Sequence, residues 1–447
     1  MRISHIWTVA LLMTAVSVFT ACSSENANWS EDPSMPHSEQ EQIALLTMRG
    51  DVGTLTQPAM EGRETGTRGA DMAGQWLSGR MIQSGLSAAG DSGYFQNFVY
   101  TPHPAVQVHG NVDENGQVQD KALGQALVLP IEGFNVLGAS NANAGSWGVI
   151  GAHYDHLGWG DENSLFRPEQ DEDSLQIHPG ADDNASGVAV MLELARRNKL
   201  SPLASHAVLF AGFSGEEKGL WGSNHFCDEP TLAMDSVRWM LNFDMVGRMH
   251  GDTLAVYGVG TSPVWPAMLD SCNTAGLHFV VTESGVGPSD HTSFYYEDVP
   301  VLHFFTGQHP DYHRPSDTAE KLNQEGMLAV ADLAQCLVAE LDNLVEVPFT
   351  ATVDTTAEPN PDFKVTLGVM PDYMFSGSGM RIDGVNPGRP AKGAGMERGD
   401  VVVKMGDLEI VDMMSYMKGL SLFEPGQSTK VQVLRGGELL TLDVTWD

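Results

Sequence analysis

The chain is short of cysteine, of positive charge and of long apolar runs. Four cysteines in 447 residues are too few for a disulfide-dense scaffold, and they are spaced too widely for a thiolate metal site. Cys227, Cys272 and Cys336 leave room for at most one disulfide, and the sequence does not choose the pair. Only 24 basic residues stand against 58 acidic ones, a net charge of −34. Phosphate recognition needs clustered Lys and Arg, so this balance argues against nucleic acid or an anionic membrane surface as a partner. The N-terminal apolar run, Ile6 to Phe19, is too short to be a comfortable transmembrane helix. What is present is a globular composition, 42% hydrophobic and 18% charged, on a chain long enough for two folded units.

Arg2 and His5 precede the Ile6–Phe19 run, which suits the core of a signal peptide. It ends Phe19-Thr20-Ala21-Cys22-Ser23-Ser24, which resembles the lipobox of bacterial lipoproteins. That resemblance implies a signal peptide over 1–21, a lipid anchor on Cys22 and an exported protein. Ser23 fits sorting to the outer membrane, facing the periplasm or the cell surface. Phe19 stands where Leu is usual, and an ordinary secretory signal is the alternative. Residues 22–40, rich in Ser, Asn, Glu and Pro, read as a tether.

Further on, Gln40–Met48 and Ala70–Gly85 carry helical spacing, and Phe95–Tyr100 and Gln125–Leu129 read as strands. Trp147 to Ile150 runs into Gly151-Ala152-His153-Tyr154-Asp155-His156, a buried strand whose far end delivers His153 and Asp155. The acidic stretch 161–173 reads as a solvated loop, with a lid or a calcium site as alternatives. Gly180-Ala181-Asp182-Asp183-Asn184-Ala185-Ser186-Gly187 opens a helix running to Arg197. Two more apolar strands follow. His206–Phe213 emerges into Ser214-Gly215-Glu216-Glu217, and Val237–Val246 holds Asp244 inside it. Carboxylates leaving apolar strands are costly unless something cationic compensates them. His313 lies in Gly307-Gln308-His309-Pro310-Asp311-Tyr312-His313-Arg314, before a last helix, Leu322–Glu340.

His153, Asp182, Glu217, Asp244 and His313 thus form a set of two imidazoles and three carboxylates at strand ends and helix starts. Nitrogen and oxygen ligation without thiolate suits zinc, with cobalt or manganese as substitutes. Five residues hold two ions if one carboxylate bridges. Glu216, beside a ligand but free of metal, is then the candidate general base.

These motifs resemble the co-catalytic zinc aminopeptidases of the bacterial leucyl aminopeptidase type, from about Met60 to Glu340. The resemblance implies an α/β fold over 41–345, with a mixed, largely parallel central sheet flanked by helices. It also implies two zinc ions per chain and peptide substrates. Asp182 would bridge, His153 and Asp244 would complete one site, and Glu217 and His313 the other. Glu216 matches the base, Asp155 the carboxylate orienting His153, and Tyr312 a tyrosine that helps hold the substrate carbonyl. A cis peptide between Asp182 and Asp183 is implied as well.

Residues 346–362, with Pro348, Pro359 and Pro361, read as a linker. In 363–447, Pro387-Gly388-Arg389-Pro390-Ala391-Lys392-Gly393-Ala394-Gly395-Met396 and Gly399-Asp400-Val401-Val402 resemble a small, β-rich bacterial PDZ domain of the protease-associated kind. Leu367-Gly368-Val369 falls where such domains capture a peptide C-terminus; a domain that only packs on the peptidase and shapes access is the alternative. The resulting expectation is an exported zinc aminopeptidase. Its rivals are a carboxypeptidase or a one-zinc glutaminyl cyclase on the same fold, and a non-catalytic peptide-binding lipoprotein.

Overall fold

Four short, largely apolar runs set the architecture, because each is suited to burial on both of its faces. In the computed structural model they become β6 (Trp147–His153), β7 (Ala207–Phe213), β8 (Val237–Phe243) and β11 (Val301–Phe305). Every residue of these strands is buried except the partly buried Arg238. Burial on both faces is what a parallel sheet covered by helices requires. The structure describes residues 38–100, 111–112, 118–119, 129–141, 145–160, 163–166, 175–352, 365–371, 378–385, 388–411 and 413–446. The expected signal peptide with Cys22, nearly all of the tether, the strand at 125–129 apart from its last residue, most of the acidic loop and the later part of the linker lie outside them.

The remaining strands of the main sheet are β1 (Ser87–Ala88), β2 (Phe95–Tyr100), β5 (Ile131–Ala139), β9 (Thr253–Tyr257) and β10 (His278–Thr282); β3 (Asn111–Val112) and β4 (Val118–Gln119) pair with each other. The main sheet runs β1-β5-β7-β6-β8-β11-β9-β10, with β2 also on β5. Strands β7, β6, β8 and β11 are neighbours in that order and mutually parallel. Their carboxyl ends therefore share one edge, the place where open α/β sheets bind ligands. Gly148 lets β6 and β8 sit side by side, since a Cβ there would come within 2.0 Å of the Trp239 ring.

The sheet is flanked by helices α1 (Glu39–Leu55), α2 (Arg68–Gln83), α3 (Gly187–Leu200), α4 (Trp221–Asp228), α5 (Trp265–Cys272), α6 (His291–Tyr296) and α7 (Gln324–Asp342). Ser38 and Glu41 form a reciprocal capping box that starts α1, and the Asn323 side chain caps α7 by accepting from Gly326 N–H. The disulfide joins Cys272 at the end of α5 to Cys336 in α7, while Cys227 is buried and free. The first part of the expected linker is tied down. Thr350 N–H donates to Thr261 O at 2.8 Å, Thr352 N–H donates to the Tyr295 hydroxyl at 2.9 Å, and Phe349 packs on the Tyr295 ring.

The C-terminal unit is an antiparallel sheet built from β12 (Val369–Pro371), β13 (Met380–Val385), β14 (Val401–Met405), β15 (Leu408–Glu409), β16 (Ser428–Arg435) and β17 (Glu438–Thr445). Leu367, Ile382, Val402, Met405, Val431 and Trp446 are among its core side chains, and helices α8 (Pro390–Gly393) and α9 (Met413–Ser421) complete it. Buried Asp400 is clamped by Arg435 through two bonds of 2.7 Å. In the expected capture loop Leu367 is fully buried, and Gly368 has φ +70 with Arg389 packed where a Cβ would project.

Two stability predictions follow from these contacts. The disulfide closes 64 residues of chain, so Cys336→Ser is expected to remove about 2–4 kcal/mol, read as a lower melting temperature that reducing agent no longer shifts. A chain ending at 345 is expected to melt below one ending at 354, by about 2 kcal/mol for the lost hydrogen bonds and the Phe349 contact. Equal melting would show that the strap is not part of the folded unit.

Candidate metal centre

Each of the four central parallel strands delivers part of the site at its carboxyl end. β6 ends at His153, β7 leads through Ser214-Gly215 to Glu216 and Glu217, β8 is followed by Asp244, and the segment after β11 brings His313. Into the middle of these comes a kinked turn, Ala181–Ser186, that precedes α3.

Asp183 is the carboxylate at the centre. Its Oδ1 lies 3.4 Å from His153 Nε2, and its Oδ2 lies 3.3 Å from His313 Nε2. Asp244 Oδ1 is 3.2 Å from His153 Nε2, and Glu217 Oε2 is 3.1 Å from His313 Nε2. Glu216 lies alongside, with its Oε2 3.9 Å from His153 Nε2. The expectation that Asp182 bridges is therefore corrected by one residue. Asp182 is buried with its carboxylate already engaged: Oδ1 accepts from Gly247 N–H at 2.6 Å and Ser186 Oγ at 3.0 Å, and Oδ2 lies 3.2 Å from His309 Nε2. The non-helical backbone at Asp183 and Asn184 turns the two neighbouring side chains in different directions. The cis peptide is likewise at Asp183–Asn184, not between Asp182 and Asp183.

The donors fit divalent metal. Ligand bonds of about 2.0–2.1 Å to nitrogen and oxygen at near-tetrahedral angles place two ligand atoms of one ion about 3.3 Å apart. The four contacts around Asp183, from 3.1 to 3.4 Å, have that spacing. Among the described residues His313 Nε2 is buried with no hydrogen-bond partner, and it faces the carboxylates of Asp183 and Glu217. His153, Asp183 and Asp244 form one triad able to hold an ion; Asp183, Glu217 and His156 lie as close together on the other side.

Neighbouring groups fix these side chains. Asp155 sits near the other face of the His153 ring, its Oδ1 3.7 Å from Nδ1, and accepts from Thr65 Oγ at 3.0 Å and Glu216 N–H at 3.2 Å. His313 Nδ1 is held by Asn163 O at 2.9 Å. Asp317 accepts from the N–H groups of both Asp182 and Asp183. Arg63, completely buried, donates to the carbonyls of Leu55, Tyr154, Pro179 and Gly180. It thus ties the chain just after His153 to the chain just before Asp182.

Electrostatics follow the crowding. Burial raises the Glu216 carboxyl well above its ordinary range; His153 opposes this, while Asp244 and Glu217 add to it. For Glu217, burial and Asp183 push upward, yet His313 and His156 outweigh them and bring it to about 2. A cleft opens beside the carboxylates, walled by Met245, Tyr257, His303, Phe305 and Tyr312. Tyr312 stacks on the His313 ring at 3.8 Å.

Sequence reasoning missed Asp183, His156, Arg63, Thr65 and Asp317. The first two lay inside the motifs already singled out, one residue from Asp182 and three from His153. Nothing in local spacing marks Arg63, Thr65 or Asp317, because their roles are tertiary.

Comparison with known proteins places the chain. Residues 135–338 match Peptidase family M28, and residues 358–445 match the PDZ domain. The chain therefore carries a family M28 peptidase domain followed by a PDZ domain. Aminopeptidase YwaD of Bacillus subtilis (strain 168) is 31% identical over 206 residues, 43% of this chain and 44% of that protein. The chain spans about half the length of the curated relatives it matches. A zinc aminopeptidase from Bacillus subtilis superposes with a TM-score of 0.50 at 19% identity, covering 66% of this chain and 95% of that one. The glutaminyl cyclase of Porphyromonas gingivalis gives 0.50 at 17%, covering 67% and 98%. At such identities these two structures speak for the fold: a large, mostly parallel sheet flanked by helices.

The one-residue correction is directly testable. Asp183→Asn is expected to weaken metal binding by more than the roughly 10–100-fold that loss of an outer partner costs, measured as metal per chain after dialysis. Asp182→Asn is expected chiefly to destabilise the fold by about 1–3 kcal/mol. If Asp182→Asn empties the site while Asp183→Asn does not, the assignment is wrong.

Proposed function

We propose that the protein is an exported aminopeptidase with two zinc ions, removing N-terminal residues from peptides. One observation carries this reading: the two oxygens of Asp183 are divided between two ligand clusters, with Glu216 beside them and outside both. Asp183 would bridge, His153 and Asp244 would hold one ion, and Glu217 and His313 the other. When bound, such a pair supplies Lewis acidity to a carbonyl oxygen and lowers the pKa of water.

The chain's own residues then divide the work. Glu216, within reach of both clusters, accepts a proton from the attacking water and returns it to the departing amine. A carboxyl raised by burial falls back into the ionised range when cations stand beside it, which readies Glu216 as a base once the site is loaded. Asp155 fixes the His153 ring by its contact at Nδ1. Met245, Tyr257 and Phe305 offer an apolar wall for the N-terminal side chain, and Tyr312, which stacks on His313, would help hold the substrate carbonyl. At the PDZ domain, Leu367-Gly368-Val369 would receive a peptide C-terminus.

Export is supported by the signal-like run ending at Cys22, where a lipid would anchor the chain, and by the Cys272–Cys336 disulfide, a bond typical of oxidising compartments. The M28 match and the aminopeptidase relatives favour peptide hydrolysis over the cyclase chemistry known on the same fold.

Glu216→Gln is the test. The variant is expected to keep two zinc ions and to release free leucine from leucine amide about 10²–10⁴-fold more slowly. Unchanged turnover with metals bound would remove Glu216 from the chemistry. One zinc per chain with cyclisation of N-terminal glutamine would replace the whole reading.

A further inference from the structure

An imidazole that neither ion needs as a ligand lies against the second cluster. His156 follows β6 by three residues, and its side chain is completely buried. Its Nδ1 is 2.6 Å from Glu217 Oε1 and 3.9 Å from Asp183 Oδ2. The other oxygen of Glu217, Oε2, is the one that meets His313 Nε2 at 3.1 Å. Glu217 is thus gripped at one oxygen and presented at the other.

Distance decides what His156 does. Two atoms bound to the same zinc at about 2.0–2.1 Å each stand roughly 3.3 Å apart at a tetrahedral angle and about 2.9 Å apart even at a right angle. The 2.6 Å contact is shorter than either and has the length of a charge-assisted hydrogen bond. The other four ligand-to-ligand contacts, 3.1 to 3.4 Å, are ion-like. We propose that His156 is a positioning residue: it donates its Nδ1 proton to Glu217 Oε1 and so leaves Oε2 alone to face the ion shared with His313 and Asp183.

The ring has little freedom to do otherwise. A Cβ on Gly180 would stand 2.5 Å from His156 Cδ2, so the absence of a side chain there makes room for the imidazole. The ring lies edge-on to His313, with centroids 5.8 Å apart, and the His156 N–H donates to Arg63 O at 3.3 Å. His156 Nε2 has no hydrogen-bond partner among the described residues, whereas Nδ1 has a carboxylate. That contrast assigns the proton to Nδ1. Ligating carboxylates depend on such outer hydrogen bonds for their orientation.

The proposal rests on the two-ion reading, and its test measures loading rather than turnover. Metal-free full-length protein is titrated with zinc against a chromogenic chelator, and with cobalt to follow its visible absorption, for the wild type, His156→Phe, His156→Asn and His156→Gln. Phe keeps a ring without a donor. Asn restores an N–H near the Nδ1 position, and Gln places its amide near Nε2. The expected result is a 10–100-fold weaker second ion in the Phe and Gln variants, an essentially unchanged first ion, and recovery of most of the loss in Asn. Equal second-ion affinity in wild type and Phe, or Asn no better than Gln, overturns the positioning role. Because the Asn and Gln comparison stands alone, the test survives if the Phe variant fails to fold. Absence of a second ion in the wild type sinks the two-ion reading itself, and this role with it.

Discussion

Repulsion among carboxylates is the constraint on which the site is built. Asp155, Asp183, Glu216, Glu217 and Asp244 are gathered at the ends of neighbouring strands, with little solvent to screen them. Burial, with Asp244 and Glu217 beside it, raises the Glu216 carboxyl well above its ordinary range. The carboxylates stay together because the strands that carry them are locked by a buried parallel ladder, whose apolar contacts do not depend on the charges. Folding pays for the crowding, and cations placed among the carboxylates recover part of the cost. The donor atoms are spaced accordingly: imidazole nitrogens stand 3.1 to 3.4 Å from carboxylate oxygens, far enough for an ion and near enough for two ligands to share it.

Arg63 supplies the permanent part of that compensation. Burial lowers its pKa, but Asp183, Asp155 and Asp317 hold it at about 10, so it stays cationic at neutral pH. Its hydrogen bonds, however, all go to backbone carbonyls. The charge therefore acts at a distance while the guanidinium fork serves as a rigid tie between the His153 loop and the Asp183 turn. A carboxylate partner would have neutralised Arg63 and taken a side chain from the site. Carbonyl partners leave every carboxylate available.

The sequence made the strands and their ends legible for a physical reason. Continuous apolar runs such as 147–152 and 207–213 are of strand length and show no amphipathic period, and a polar residue at their end has to be explained by what lies there. His153, Glu216, Glu217 and Asp244 are visible in that way, His313 only as a second imidazole in the polar segment after β11, and the structure brings all five together. The helical spacing of Ala73, Trp76, Leu77 and Met81 likewise falls on α2, where Ala73, Leu77 and Met81 are buried and Trp76 is half-buried. The Asp182–Asp183 choice is different in kind. Both residues precede a helix, both are acidic and both are buried, so neither period nor polarity separates them; only the backbone kink at Asp183 and Asn184 does. The disulfide partner was hidden for a related reason, since the packing of α5 on α7 rather than spacing brings Cys272 to Cys336.

The adjacent pair also shows how a carboxylate can be kept turned toward the imidazoles of the site rather than toward backbone amides. A loop that presents an unsatisfied charge needs another anchor, or it will turn until the charge finds a donor. Asp182 is that anchor: its carboxylate takes the Gly247 N–H and the Ser186 hydroxyl and faces His309, while Asp317 takes the two amides of the turn. With the backbone held on both sides, Asp183 keeps its oxygens toward the imidazoles of His153, His156 and His313. Two neighbouring aspartates thus have opposite tasks. One is saturated with hydrogen bonds so that the next is free to bind something else. A substitution at Asp182 disturbs the site through the shape of the turn, whereas one at Asp183 removes a carboxylate that itself faces the imidazoles.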